Sequence, residues 1–358
     1  MNFYQALQLS PFILKNKIKQ GENPKEKQFY RKAMIARSFF MVAFSMGYIL
    51  LMTAIFGPEQ STLSVVLLCI LLSLRFVDFG YRVEQGIAAL GIVFLILLFS
   101  PQVAIILSPG WKFICHFFSL LTIFFLTSYE RQLGNPSLYS FCYVFLVGTV
   151  PEKEFFGARM LLMLVTYLFF SLIYFLKHRR KHQAISFYQR VFDENIGSEN
   201  NQFLVSLALG ISLFFLWNDY FPLERFMWAG FAFSSLIGGN HEEFKSRSFD
   251  RILGVIIGSF GFFFLMSFLP SQWLFLIGPI GGFTLGFATT YRNQTIINCF
   301  GALFLAQGIY GVETAVKLRV WDNLLGVLFA VMYFLILKSC LMLYQQVKER
   351  SNIQGNLK

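Results

Sequence analysis

Residues 273–294 read WLFLIGPIGGFTLGFATTYRNQ, and residues 111–132 read WKFICHFFSLLTIFFLTSYERQ. Set one over the other at an offset of 162, they share Trp, Phe, Thr, Phe, Thr, Tyr and Gln, seven identities in 22 positions. Each is an apolar run closed by a polar patch. The echo predicts that the chain consists of two copies of one unit. It extends further: Arg82–Pro101 matches Arg251–Pro270 at offset 169, and Ser45-Met46-Gly47 aligns with Ala208-Leu209-Gly210 at offset 163.

The composition says where such a unit sits. Hydrophobic residues make up 56%, charged residues 14%, and mean hydropathy is +0.58. A soluble chain carries roughly a quarter charged residues. Here the apolar residues fall in long uncharged runs, the signature of membrane-crossing helices, and lack the alternation of a transmembrane β-barrel. The fold class expected is an all-α membrane protein. About 12 transmembrane helices are expected, near 38–56, 60–76, 84–100, 111–128, 136–150, 157–176, 202–217, 222–239, 251–269, 273–290, 294–311 and 320–344. They divide into a basic N-terminal segment (1–37), a first six-helix repeat (38–176), a basic connector (177–201), a second six-helix repeat (202–344) and a polar tail (345–358). Six is an even number, so both repeats would enter the bilayer in the same orientation. The first apolar run begins only after Arg37, so the first span is expected to stay in place as an anchor.

The net charge is +11. Of 30 Lys and Arg, 24 lie in the N-terminal segment, the connector, the tail and the loops on their side of this layout, and six lie in the other loops. That asymmetry puts both termini in the cytoplasm of a cell (plasma) membrane protein. The charge therefore reads as topology, and the partners expected are the lipid bilayer and a small organic anion, with no nucleic acid; a homo-oligomer stays open. Five scattered cysteines without a CxxC pair give no disulfide framework and no metal site. There is no P-loop, HExxH or GxSxG, so no cofactor and no enzyme are expected.

Polar or helix-breaking groups inside such a chain ask for a reason. Gly278, Pro279, Gly281 and Gly282 should kink or break their span, and broken spans present free backbone groups to substrate. With Thr284 they form a candidate substrate pathway. The repeat sets His116 opposite Gly278, and these two are expected to face each other near a central axis, with His116 either an ordinary helix-packing residue or a proton relay; Thr122, which matches Thr284, joins the candidate pathway. A candidate cytoplasmic mouth gathers Arg75, Asp78, Arg82, Tyr129 and Arg131 from the first half with Arg247, Asp250, Arg251, Tyr291 and Arg292 from the second. Mixed charge there would draw in and release an anion; ordinary loop charge paired across the repeat interface is the alternative. Asp322 lies one turn inside the last span. It is either a proton-coupling carboxylate, because burial favours its neutral form, or an i, i+3 partner of Arg319. Arg251-x-x-Gly254-x-x-x-Gly258 presents a small-residue face suited to close helix packing or to sliding.

Two segments carry a resemblance. Arg247-Ser-Phe-Asp250-Arg251-Ile-Leu-Gly254-Val-Ile-Ile-Gly258 and Arg319-Val-Trp-Asp322-Asn-Leu-Leu-Gly326-Val resemble motifs of the FUSC family, the fusaric-acid-resistance and aromatic-acid-exporter-like membrane proteins. Val255 stands where the family often has Thr, Leu162 stands where the first half would repeat Asp322, and the connector is short where many members carry cytoplasmic domains. The resemblance implies efflux of amphipathic or aromatic organic anions driven by the proton gradient. A passive anion channel on the same fold remains a competing reading. So does an envelope-assembly or lipid-carrier partner that uses its Phe-rich surface.

Overall fold

The structure, a computed structural model, describes residues 1–193, 198–239 and 241–356. Residues 194–197 of the expected connector and 357–358 of the expected tail lie outside the described residues. Among the described residues there is no strand. Two short helices, α1 (Phe3–Leu7) and α2 (Pro11–Gln20), precede α3 (Pro24–Phe56), α4 (Ser61–Leu74), α5 (Val83–Ile106), α6 (Pro109–Thr127), α7 (Asn135–Val147) and α8 (Phe156–His178). After the connector come α9 (Glu199–Tyr220), α10 (Phe226–Ile237), α11 (Phe244–Phe268), α12 (Ile277–Leu285), α13 (Tyr291–Tyr310) and α14 (Val312–Asn356). Each apolar run of the sequence lies on one of α3 to α14.

Among the described residues seven helices, those of α3, α5, α6, α8, α9, α11 and the Val312–Cys340 part of α14, are long and apolar enough to cross a membrane. Apolar stretches at Pro58–Leu74, Phe226–Ile237 and Gln272–Leu285 are shorter. The chain is a multi-pass, all-helical membrane protein. Local signals set several boundaries. Asn23 caps α3 by accepting from the Lys25 amide, with Pro24 at the first helical position; Thr290 caps α13 through the Asn293 amide.

Four boundaries differ from the sequence reading; one is α14, which begins at Val312 and so takes in Lys317 and Arg319, expected in the loop before 320. Helix α3 starts at Pro24, some way inside the segment read as a cytoplasmic arm. Helix α5 runs through Pro101 to Ile106, although the repeat placed its end there. The run at 273–290 is not one span with a break in its middle. A 3-10 stretch, Ser271–Leu276, hands over to α12 at Ile277. Pro279 thus falls in the first turn of α12, where a missing N–H removes no helical bond.

Contacts sort the loops into two sets. At one end Lys181 meets Asp78, Asn200 meets Ser128, Ser137 meets Gly238, Tyr291 meets Ser235, and Lys15 meets Thr289. At the other, Gln60 meets Phe155, Lys112 meets Asp219, and Arg225 covers the Tyr310 ring. We call the first, which holds the connector, the basic end. The largest core cluster joins α4 to α10 with part of α14, and a second joins α10, α11, α13 and α14. Helix α3 lies on the outside: of its residues Tyr30, Ala33 and Ser38 are buried.

Candidate functional site

The residues singled out by sequence fall into four places. The first is a buried arginine cluster among α11, α13 and α14. Arg251 is 9% exposed, Arg319 5% and Asp322 1%. Arg251 Nε donates to Asn323 Oδ1 at 3.1 Å, and Asn323 Nδ2 donates to the Arg319 carbonyl at 2.8 Å. The Arg319 guanidinium lies over the Trp228 ring, 4.9 Å from its centroid. The expected Arg319–Asp322 pair does not form. Arg319 Nε and Asp322 Oδ2 are both buried without hydrogen-bond partners, because the guanidinium turns onto Trp228 instead.

This cluster opens toward the basic end through Tyr291. The Arg247 guanidinium covers the Tyr291 ring at 4.4 Å, Tyr291 Oη pairs with Ser235 Oγ at 2.8 Å, and Arg251 reaches Tyr291 Oη at 3.5 Å. Arg292 sits 3.6 Å from Asp250. Arg247, Asp250, Arg251, Tyr291 and Arg292 are thus brought together. The glycines of the motif explain how helices approach closely enough to bury arginines. A Cβ on Gly254 would lie 2.8 Å from Thr295 Cβ, and one on Gly258 would lie 2.6 Å from the Ile296 carbonyl of α13. A Cβ on Gly326 would strike the Ala229 backbone of α10.

The second place holds Asp78, apart from the first. Asp78 and Gly80 form a tight turn between α4 and α5, with the Gly80 amide donating to Asp78 Oδ1 at 2.9 Å and Gly80 at φ 83°. The connector straps this turn. Lys181 Nζ reaches Asp78 Oδ2 at 2.9 Å, His182 Nε2 lies 3.2 Å from Oδ1, the Arg82 amide donates to the Ile185 carbonyl, and Arg190 Nε donates to the Gly80 carbonyl. Burial alone would raise the Asp78 carboxyl. The bonds from Lys181 and the Gly80 amide, with the charges of Lys181 and His182, outweigh it and hold the group below the usual carboxylate range. Tyr129 joins this cluster through Arg190, whose guanidinium lies 5.0 Å from the ring centre. The other members do not: Arg75 and Arg82 are exposed, and Arg131 covers Phe203 of α9. Sequence reasoning took the connector's KHRRKH run as topology alone; a lone acid in the turn between two apolar runs was the signal that it needed cations from elsewhere.

The third place is the environment of His116. His116 Nδ1 and Tyr143 Oη are 2.8 Å apart, Tyr143 Oη and Ser100 Oγ 2.6 Å, and Ser100 Oγ and Ser119 Oγ 2.8 Å. The ring packs on Phe215 of α9 at 4.5 Å. His116 therefore does not face Gly278. Helix α6, which carries His116, packs on α9, whereas α12, which carries Gly278, packs on α3. Thr122 is exposed on α6.

The fourth place is a groove of about 520 Å³ between α3 and α12, lined by Arg37, Met41, Met46, Ile49, Gly278, Pro279 and Gly282 among others. The helices run antiparallel. A Cβ on Gly282 would come 3.2 Å from Val42, one on Gly286 would strike Ser38, and one on Gly278 would meet nothing within 4 Å. Glycines at 278, 282 and 286 share one face, which is why Gly281 and Thr284 fall off it. Gly281 turns toward Phe300, and Thr284 Oγ1 bonds back to the Ile280 and Gly281 carbonyls. Arg37 and Gly286 were not foreseen as site residues. Their meeting depends on α3 lying beside α12, which no local periodicity encodes.

No group of three or more metal-ligating side chains occurs among the described residues. Residues 209–333 match the family model described as fusaric acid resistance protein-like. No curated protein and no solved structure matches the chain. The matched segment holds Arg247, Arg251, Tyr291, Arg319 and Asp322, the whole of the buried arginine cluster. Over residues 209–333 the chain is thus similar to the fusaric acid resistance protein-like family.

Proposed function

We propose that the chain exports amphipathic or aromatic organic anions and couples their movement to protons. One observation carries the reading. Two arginines, Arg251 and Arg319, are buried together in the family-matched helices, and neither forms an ion pair with Asp322, the acid buried beside them. Buried charge without a partner is costly, so a pair of guanidiniums lowers the free energy of an entering carboxylate. Aromatic faces at Trp228 and Tyr291 already carry the guanidiniums and suit an aromatic body. Asp322 then supplies the proton balance: protonated, it leaves the arginines to the anion; ionised, it competes for them.

The experiment is flux of a radiolabelled aromatic carboxylate into everted vesicles, with and without an imposed proton gradient. Gradient-driven uptake that Arg251→Gln abolishes, and that Asp322→Asn uncouples from the gradient, supports the reading. Uptake indifferent to the gradient would indicate the passive channel. No uptake of any organic anion would favour the assembly-partner reading.

A further inference from the structure

We infer that the groove between α3 and α12 binds a single-chain anionic amphiphile, a long-chain carboxylate, taken sideways from the membrane leaflet at the basic end. Arg37 stands at the basic end of the groove, half-buried, and among the described residues it has no ion pair and no hydrogen bond. Its neighbour Ser38 is 1% exposed, and Ser38 Oγ, against Gly286, has no partner either. An unused cation thus stands at one end of the groove, and the residue next to it in the chain carries a buried hydroxyl without a partner.

Beyond them the lining is mostly apolar and soft, with Met41, Met46 and Ile49 from α3 and Gly278 and Pro279 from α12, and with Ser45, Gln294 and Asn298 as its polar members. From Arg37 to Ile49 the helix rises about 18 Å. Half of a hydrocarbon core of ~30 Å is about 15 Å. The groove therefore has the depth of one leaflet, with its charge at the headgroup end. Its volume lies within the ~300–1,000 Å³ of single-ligand pockets. The groove between α5 and α8 is larger, about 760 Å³, but among its lining residues there is no cation, so nothing in it selects a headgroup. Helix α3 is exposed along Phe39, Phe40, Phe44, Leu50 and Leu51, which leaves the route from lipid open.

The inference deepens the efflux reading by giving its substrate a class and a way in. It rests on that reading only for the steps after binding, and the experiment reads binding itself. The full chain in nanodiscs is irradiated with a diazirine-bearing palmitate, and labelled peptides are mapped by mass spectrometry. The expected result is labelling of 41–49 and 278–286 that palmitate suppresses and hexadecanol or dipalmitoyl phosphatidylglycerol does not. Arg37→Gln weakens labelling about tenfold or more, the loss of one charge-assisted contact. Gly282→Leu fills the groove and abolishes labelling, while Gly301→Leu, where a side chain meets open space, leaves it intact. Labelling unchanged by Arg37→Gln would overturn the proposal. So would labelling spread evenly over the α8 face, or equal competition by the phospholipid. Labelling that survives in Arg251→Gln while efflux is lost supports the groove as a separate site. Flux lost in Arg251→Gln with no groove labelling in the native chain would sink this inference and leave the efflux reading standing.

Discussion

Gly258 puts the packing argument at risk most directly. A Cβ there would lie 2.6 Å from the Ile296 carbonyl, 2.9 Å from Cys299 Cβ and 3.0 Å from Ile296 Cα. Ordinary contacts between carbon atoms are about 3.5–4.0 Å, so α13 has to move away by about 1 Å. Two of the three obstructing atoms are backbone and have no rotamer to change. Overpacking of this kind costs about 1–3 kcal/mol, while Gly→Ala in a helix returns about 1 kcal/mol through propensity. Gly301 on α13 is the control, because a Cβ there meets nothing within 4 Å and only the propensity gain applies. The two alanine variants should therefore differ by about 1–3 kcal/mol, roughly 5- to 150-fold in the folding equilibrium. Cys299 reports the opening: it is fully buried against α11 in the native chain, and maleimide labelling in detergent should accelerate in Gly258→Ala but not in Gly301→Ala. Equal stability of the two variants, with Cys299 equally slow in both, would refute the close approach of α11 and α13.

Three further outcomes are expected. Tyr143→Phe leaves His116 and Ser100 without the hydroxyl they share and should cost about 1–3 kcal/mol in thermal unfolding, whether or not flux changes. Asp78 has a folded value below its ordinary 3.8, so its contribution is present above that ordinary value and lost as pH falls through the lower folded one. Exchange protection of the Arg82 amide, which bonds Ile185 of the strap, should hold from neutral pH to about 4 and weaken progressively as pH falls further, and Asp78→Asn should lower it at neutral pH. In a cysteine-free chain, Glu59→Cys and Arg180→Cys should label from opposite faces of sealed cells, since they sit at opposite ends of the bundle; labelling from one face would break the two-ended arrangement.

Much of the helix content was legible because apolar run length needs no partner to be read. Runs near 84–100 and 251–269 are long and nearly uncharged, and both lie on helices, α5 and α11. What was not legible depended on where a helix begins or what lies beside it. Pro279 looked like a mid-span break because the start of α12 at Ile277 cannot be seen from composition. Pro101 looked like an end, yet α5 continues through it. Arg247 and Arg251 lie together at Tyr291, a proximity that follows from helix order. Arg319 and Asp322 were paired by spacing, but the aromatic face of Trp228, some ninety residues earlier in the chain, takes the guanidinium. His116 was placed by symmetry, and its actual neighbours Tyr143 and Phe215 come from packing that symmetry alone does not fix.

The strap over the α4–α5 turn bears on how the chain can be made and cut. Asp78 receives Lys181 and His182 only once synthesis has passed the end of α8, so the first half cannot finish that turn while it is still being extended. A fragment ending at residue 176 would expose an acid shaped for cations it no longer has. Any first-half piece that keeps the strap has to extend past Arg190, and a protease nick between 182 and 190 should loosen a turn a hundred residues upstream.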